Sequence, residues 1–376
     1  MREEKSNLAG NPATGELPTN TFHFLAKTQK ALDTRAAHSH LMKFGLRLAD
    51  YFGTTQNMVE LAMLAEKNGF DQCWVSHDVF MRSSFVTLTS IADHTQRMIL
   101  GNTILNPYTT NPAEVAMFVA SLDELTNGRA VCGISAGALE YMEWLGIPAP
   151  RPLTRTREAV DLIRLLISGQ NAKYDGKEFR WSDQAYMRYK PVRSKIPIYI
   201  GGQGDKMLEY SGEAGDGALP ILYPPDFAEY AVKKISEGAS KAGRSIKDVE
   251  VAGCIWMSIA KTREEAVIPI LKELIAYFGP LLGEKGLASV GLSHEQFAEV
   301  HETFKQKGIK EAGKLVNDKM LRLAIHGSPD DCIAQLEKIQ KAGVDVAMIG
   351  SPLGPDPRNS IKMLGEKVIP YFKKSA

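Results

Sequence analysis

Two short stretches near the start of the chain combine residue types that could bind or transform a ligand. His77-Asp78 directly follows an apolar run and places a group that titrates near neutral pH beside a carboxylate. Arg47 alternates with apolar residues in the run 43–48, so it would point into the fold with Lys43 and Gly45. The sequence leaves open whether the His-Asp pair only caps a loop, and whether a structural carboxylate neutralises Arg47.

A glycine-rich turn at 200–206 (IGGQGDK) separates an apolar run from a helical pattern. The glycines Gly201, Gly202 and Gly204 would let backbone N–H groups approach an anion, and the start of the following helix would add positive potential. The turn therefore suits an anion, although glycines there could also serve tight packing. A later turn at 351–356 is interpreted as a rigid structural turn that leads into the closing helix, which is predicted over 359–373.

The stretch 98–137 contains the clearest unit of secondary structure. It reads as a strand (98–105), a polar turn that begins at Asn106, a helix over 112–125 and a second strand over 130–134. Asn111 is predicted to cap the helix and Pro112 to begin it. The second strand ends in the small-residue loop Ser135-Ala136-Gly137, and in parallel α/β proteins ligands bind at such carboxyl ends.

Strand and helix patterns alternate eight times after residue 42, which predicts an α/β fold of the (β/α)8 TIM barrel class. The predicted strands are 43–48, 71–77, 98–105, 130–134, 196–202, 215–222, 249–260 and 345–351. A hairpin insertion at 173–190 and a helical insertion at about 262–324, after strand seven, account for the extra length. A doubly wound sheet is set aside because no GxGxxG turn follows strand one. Residues 1–41 form an N-terminal extension with a potential amphipathic helix at 21–37, and 42–376 form the barrel.

Composition excludes several classes of protein. The 376 residues carry a net charge of +1, which gives no reason to expect a nucleic-acid or membrane-surface partner. The chain has no apolar run near the roughly 18 residues of a membrane span and no secretory signal, so a soluble, cytoplasmic protein is expected. The four cysteines are widely spaced and are predicted to be core residues. No motif with metal-ligand spacing occurs, so no metal is predicted.

From Met42 to its end, the chain resembles the bacterial-luciferase-like superfamily, and within it the coenzyme F420-dependent branch that includes the methylenetetrahydromethanopterin reductases. Three stretches carry the resemblance: LNPYTTNPAEVAMFVASLDELTNGRAVCGISAG, IPIYIGGQGDKMLEYSGEAGDGAL and GSPLGPDPRNSIKMLGEKVIPYF. The resemblance implies a bacterial-luciferase-like barrel, a homodimer, and a deazaflavin, F420, that binds at the carboxyl ends of the strands and exchanges hydride at its C5.

The resemblance also assigns roles to residues. It implies a non-proline cis peptide at Thr103-Ile104, followed by Asn106, that supports the deazaflavin ring. It assigns the F420 phosphate to Gly201, Gly202 and Gly204, and the polar edge of the ring to Ser135, Ala136 and Gly137. The candidate catalytic residues are His77, Asp78, Arg47 and Asp123, the last of which lies in the SLDEL motif that the chain shares with the family.

Two positions depart from the family pattern. Where the reductases have a glutamate on strand one, proposed as an acid, this chain has Arg47, which stays protonated and cannot donate a proton at neutral pH. Where many relatives read Asp-His after strand two, this chain reads His77-Asp78. The F420-dependent glucose-6-phosphate dehydrogenases resemble the chain less, because their Glu and Asn in the strand-four loop correspond to Ala138 and Tyr141.

We therefore expect an F420-dependent oxidoreductase that transfers hydride between reduced F420 and an iminium, C=N or activated C=C bond of a small-molecule substrate. The most specific form of this prediction is the reduction of methylenetetrahydromethanopterin. His77 or Asp78 would handle the proton, and Arg47 would orient an anionic substrate or the cofactor. Two alternatives stay open: an FMN-dependent monooxygenase of the same superfamily, and an F420-binding carrier without catalysis.

Overall fold

The structure is a computed structural model that describes residues 41–374. The predictions for the N-terminal extension, including the helix at 21–37, lie outside the described residues. The extension and its boundary at residue 41 therefore stay predictions.

Eight parallel strands close into a barrel, which confirms the predicted (β/α)8 fold. Each strand pairs with the next along the chain, and the last pairs with the first, with Lys43 opposite Val346. All eight strands were predicted from their apolar runs. Their bounds are β1 Lys43–Leu48, β2 Gln72–Ser76, β3 Ile99–Thr103, β4 Ala130–Ile134, β5 Ile198–Gly202, β6 Gly217–Pro220, β7 Glu250–Ile259 and β8 Val346–Leu353.

Helices connect the strands up to β7, and their starts follow local capping chemistry. The Asn111 side chain accepts a hydrogen bond from the Ala113 amide at 2.9 Å, with Pro112 at the first position, as predicted. The Thr54 hydroxyl caps the first helix in the same way. The helices are α1 Thr55–Lys67, α2 Ser84–His94, α3 Pro112–Leu125, α4 Leu139–Trp144, α5 Pro152–Ile167, α6 Asp205–Ala214 and α7 Ala228–Lys241.

The predicted helical insertion follows β7 and consists of short helices. They are α8 Arg263–Ala266, α9 Pro269–Phe278, α10 Glu284–Ser289, α11 Ala298–Lys307, α12 Ile309–Lys314 and α13 Asp318–Leu321. A short strand that the sequence did not predict, Ile325–Gly327, then pairs with the end of β7. Helix α14 (Pro329–Lys341) leads into β8.

The closing helix was predicted as one element over 359–373 but is interrupted. It consists of α15 (Pro357–Met363), a π-helical turn (Leu364–Val368) and α16 (Ile369–Lys374). Pro370 has no N–H to donate to the preceding turn, which gives a physical reason for the wider turn before it.

The predicted hairpin at 173–190 is wrong in extent, because only Tyr174–Asp175 and Arg180–Trp181 pair. The turn between them is held from outside. The carboxylate of Glu158, on α5, accepts hydrogen bonds from the amides of Lys177, Glu178 and Phe179 at 2.8–3.0 Å. A single buried carboxylate thus satisfies amides that a longer hairpin would have paired.

Two large aromatic side chains are buried in the interior of the barrel together with aliphatic residues. Trp74 of β2 and Tyr199 of β5 are buried and meet edge to face, with ring centroids 5.2 Å apart. Gly101 on β3 leaves room for the indole, since a Cβ atom there would lie 2.5 Å from the Trp74 ring. The core of the barrel is therefore packed and is not a pore.

At the amino end of the barrel, polar side chains are joined in one network. The carboxylate of Glu250 accepts hydrogen bonds from Gln72 at 3.1 Å and from the Tyr199 hydroxyl, and it pairs with Lys43. The polar groups at this end are thus satisfied within the protein.

Asp123 belongs to this same end of the molecule. Its carboxylate accepts a hydrogen bond from Arg193 Nε at 2.8 Å, pairs with Arg193 Nη2, and accepts from the Ala130 amide at 3.2 Å. It therefore clamps the end of α3 to the first residue of β4 and to the segment before β5.

All four cysteines are buried free thiols, which confirms their predicted place in the core. Within residues 41–374, no helix is both long and apolar enough to cross a membrane.

Replacing Asp123 with alanine would leave Arg193 without its counter-charge in the interior, since their side chains are 1% and 11% exposed. We expect Asp123→Ala to lower the free energy of unfolding by about 3–5 kcal/mol in urea titrations. The matched control is Asp175→Ala, which breaks the exposed pair with Arg180 and should change stability very little. Similar small effects of the two variants would contradict the clamp.

Candidate active site

The carboxyl ends of β3 and β4 form one wall of the candidate site. The peptide bond Thr103-Ile104 is cis, as the resemblance implied. Beyond it, Leu105 continues the pairing with β4, because its amide donates to the Gly133 carbonyl at 2.8 Å and its carbonyl accepts from the Ser135 amide at 3.1 Å. The two strand ends are thereby held in fixed register.

Side chains in the loops after β3, β4 and β5 hold these loops together. Asn106 Nδ2 donates to the Ala136 carbonyl at 2.7 Å, and the Ser135 hydroxyl donates to the Gly201 carbonyl at 2.8 Å. Gly137 lies beside Asn106 with φ +68°, a conformation that favours glycine. The structure thus brings together most of the residues that the sequence assigned to a cofactor.

The surface between these loops is closely fitted. A Cβ atom at Gly201 would lie 3.2 Å from Ile104 Cγ2 and 3.4 Å from Ser135 Cβ. A side chain at position 201 would therefore fill the space in front of the cis peptide.

The glycine turn after β5 presents backbone amides. Within the described part of the chain, the N–H groups of residues 203–206 donate no hydrogen bond. Gly204 precedes α6 in an extended conformation, and a Cβ atom there would meet open space. These amides and the start of α6 give the geometry that an anion requires.

A cavity of about 410 Å³ adjoins this turn. The turn, the segment 221–227 after β6 and residues 283–286 of the insertion line the cavity. Lys285 closes one side, with Nζ 2.6 Å from Asp205 Oδ2 and 2.6 Å from the Tyr230 hydroxyl. The helical insertion is thereby attached to the glycine turn.

Three buried polar atoms at the ends of β1, β2 and β3 have no hydrogen-bond partner in the described structure. They are Arg47 Nε, Ser76 Oγ and Thr103 Oγ1. Ser76 pairs in register with Thr103, and Arg47 lies on the strand next to Ser76. Buried polar atoms nearly always have partners, so three orphaned atoms on adjacent strands indicate groups that meet a ligand.

Arg47 points into the barrel, as its spacing predicted. Its Nη2 donates to the Tyr223 hydroxyl at 2.7 Å. Tyr223 in turn stacks on Trp256, with ring centroids 3.9 Å apart. On the other side lies Gly350 of β8, where a Cβ atom would be 2.8 Å from Arg47 Nε.

His77 and Asp78 follow β2 at the same end of the barrel. His77 Nδ1 lies 3.0 Å from the Ser84 hydroxyl, and its ring stacks on Phe85. Burial lowers the pKa of His77, so the ring is neutral at neutral pH. Burial raises the pKa of Asp78, against a smaller opposite effect of the Val79 amide that donates to it at 2.9 Å.

Asp123 is the one candidate that the structure does not bring to this end. Its position at the amino end of β4, enclosed in an ion pair, argues against the catalytic role that the shared SLDEL motif suggested. Its contacts instead hold α3, β4 and the segment before β5 together.

Sequence reasoning missed Tyr223, Trp256 and Ser76. Tyr223 directly follows the predicted strand six (215–222), and Ser76 is the last residue of β2, so the position at a strand end was the available signal. Nothing local in the sequence pairs Tyr223 with Arg47, which is 176 residues away.

Exposed aromatic rings stand at the rim. Phe80, in the loop after β2, and Trp144, at the end of α4, are 73% and 57% exposed, with ring centroids 6.4 Å apart. Phe80 is held at φ +67°. Such exposed apolar groups at the mouth of a barrel are typical of a surface that contacts a ligand.

Comparison with known proteins agrees with this architecture. A sequence model of the family described as Luciferase-like monooxygenase matches residues 22–346. The 5,10-methylenetetrahydromethanopterin reductase of Archaeoglobus fulgidus is 36% identical over 344 residues, covering 88% of this chain and all of the relative. The reductase of Methanopyrus kandleri is 32% identical over 348 residues, covering 89% of this chain and 99% of the relative.

A solved structure supports the same assignment. The coenzyme F420-dependent tetrahydromethanopterin reductase from Methanopyrus kandleri superposes with a TM-score of 0.83 at 31% identity, covering 88% of this chain and 99% of that one. An F420-dependent secondary alcohol dehydrogenase, 22% identical with a TM-score of 0.71, shares the fold. The chain thus belongs to the luciferase-like family.

Proposed function

We propose that this protein is a coenzyme F420-dependent oxidoreductase that transfers hydride between reduced F420 and a C=N, iminium or activated C=C bond. The observation that carries the proposal is the similarity to F420-dependent reductases over nearly the whole barrel. The sharpest version is a reaction like that of the methylenetetrahydromethanopterin reductases. The partner of the reaction is a small molecule.

The residues at the mouth fit a deazaflavin. Ile104, Asn106 and the loop Ser135–Gly137 would hold the ring, because they line a closely fitted surface. The space in front of that surface is left open by the absence of a side chain at Gly201. The free amides after Gly202 and at Gly204 would hold the phosphate. When bound, the cofactor supplies the hydride, and the chain supplies orientation, electrostatics and exclusion of water.

We further propose that the His77-Asp78 pair moves the proton that the acceptor takes up with the hydride. Asp78 is the better donor, because burial raises its pKa and keeps more of its carboxyl group protonated. His77 is neutral and fixed by Ser84 and Phe85, so it can accept or position a proton. Arg47 cannot donate one at neutral pH.

Titration of the purified full chain with F420 and, separately, with FMN tests the cofactor. We expect F420 to quench or shift fluorescence saturably at micromolar concentration, and FMN to bind much more weakly. A preference for FMN would contradict the proposal and favour a monooxygenase, which would consume oxygen with a reductase partner. F420 binding without oxidation of reduced F420 by any pterin, imine or enone acceptor would favour a carrier.

Asp78→Asn removes the proposed acid and keeps the shape of the side chain. We expect kcat to fall by about 10²-fold or more with an unchanged affinity for F420. In the wild type, kcat should decline as the pH rises through the raised pKa of Asp78, and this decline should be absent in the variant. The control is His94→Gln, which replaces the histidine at the end of α2 and should leave kcat unchanged. Equal kcat values for wild type and Asp78→Asn would remove Asp78 from the role.

We also propose a homodimer. Three neighbouring helices outside the barrel each expose an apolar side chain, namely Met63 (44%), Val86 (60%) and Met117 (52%). Light scattering should give about twice the 41.4 kDa of one chain, and Val86→Asp with Met117→Asp should halve that mass. A wild-type mass of one chain would refute the homodimer.

Location in the cytoplasm stays a prediction from the sequence.

A further inference from the structure

Arg47 has no acidic partner among residues 41–374, although it lies inside the barrel. Its side chain is half-buried, Nε is buried without an acceptor, and Nη2 donates only to the neutral Tyr223 hydroxyl. Within residues 41–374 it forms no ion pair with Asp or Glu. A buried donor without an acceptor is unfavourable, and a cation partly removed from water is stabilised by a counter-charge, which residues 41–374 do not give this guanidinium.

The groups around Arg47 cannot supply the missing charge. Burial raises the pKa of the Tyr223 hydroxyl, and burial likewise raises the pKa of the Cys254 thiol, so both groups are neutral at neutral pH even beside a cation. The stacked indole of Trp256 and the backbone of Gly350 also lie on this surface and are uncharged. The compensating anion therefore has to come from outside residues 41–374.

Arg47 is separated from the glycine turn by the geometry of the barrel. Counted around the sheet, β1 and β5 are four strands apart in either direction, so they lie on opposite sides. The next two strands after β1 end in Ser76 and Thr103, which pair in register and whose hydroxyls have no partner among the described residues. One side of the mouth thus carries a guanidinium and two hydroxyl donors, and the opposite side carries the backbone amides proposed for the cofactor phosphate.

We propose that Arg47, with the hydroxyls of Ser76 and Thr103, binds a carboxylate of the electron acceptor. This inference rests on the proposed function and specifies the substrate class: a small C=N or activated C=C compound that bears a carboxylate. A guanidinium donates two parallel N–H bonds to a carboxylate, and its single positive charge matches a carboxylate monoanion. The hydroxyls satisfy the remaining lone pairs.

The test measures carboxylate binding by the full chain without cofactor. Acetate, oxalate and succinate are titrated at constant ionic strength, with inorganic phosphate for comparison, by calorimetry and by the shift in thermal unfolding temperature. Ligand that binds only the folded state must raise that temperature. We expect one of the carboxylates to bind the wild type saturably.

Variants assign the binding to the guanidinium. Arg47→Met keeps the length of the side chain without its charge and should weaken carboxylate binding about ten- to a hundredfold. Arg47→Lys keeps the charge without the planar fork and should bind with intermediate affinity. The matched control is Arg157→Met, because Arg157 also lies over a tyrosine ring, at 4.2 Å from Tyr210, but is paired with Glu213. It should leave carboxylate binding unchanged.

Other results would overturn the inference. Equal carboxylate affinities of wild type and Arg47→Met would show that the anion binds elsewhere. Loss of F420 affinity in Arg47→Met, with no carboxylate bound by the wild type, would assign the guanidinium to the cofactor instead. A wild type that binds carboxylate through Arg47 but does not bind F420 would refute the proposed function and leave the anion site standing.

Discussion

The packing of the barrel interior is the constraint on which the rest of the structure depends. A closed ring of eight strands encloses a volume that side chains must fill, and the buried rings of Trp74 and Tyr199 meet edge to face inside it. Gly101 leaves room for the indole. Both rings direct their polar atoms to the amino end, where Trp74 Nε1 donates to Gln72 and the Tyr199 hydroxyl donates to Glu250.

The two ends satisfy their polar groups differently. At the amino end, Glu250 joins Lys43, Gln72 and Tyr199, and Asp123 joins Arg193, so charges are compensated within the chain. At the carboxyl end, Arg47, Ser76 and Thr103 each have a buried polar atom without a partner among residues 41–374. This asymmetry distinguishes an end whose charges are paired from an end that offers groups to a ligand, and the buried ion pair of Asp123 belongs to the first.

The sequence was sufficient for features that local patterns determine. Apolar runs predicted all eight barrel strands, and the Asn111-Pro112 pair predicted the start of α3. It failed where a distant residue decides the outcome. Glu158 accepts hydrogen bonds from the turn at 177–179, and the hairpin is shorter than predicted. Arg193, 70 residues from Asp123 in the sequence, forms an ion pair with it. The sequence predicted site residues that lie at the ends of predicted strands, such as Arg47. It could not predict the hydrogen bond between Arg47 and Tyr223, because only the closed barrel brings these two distant residues together.

The contact between Arg47 and Gly350 determines where the guanidinium can point. A Cβ atom at position 350 would lie 2.8 Å from Arg47 Nε. Because the guanidinium is the far end of a flexible side chain, a larger residue at 350 would displace it without excluding an arginine from position 47. The displaced guanidinium would move relative to the Tyr223 hydroxyl, to which it now donates at 2.7 Å. The glycine on β8 thus acts as an aiming device for a side chain on β1, and its effect would be seen in the direction of the positive charge and not in the fold.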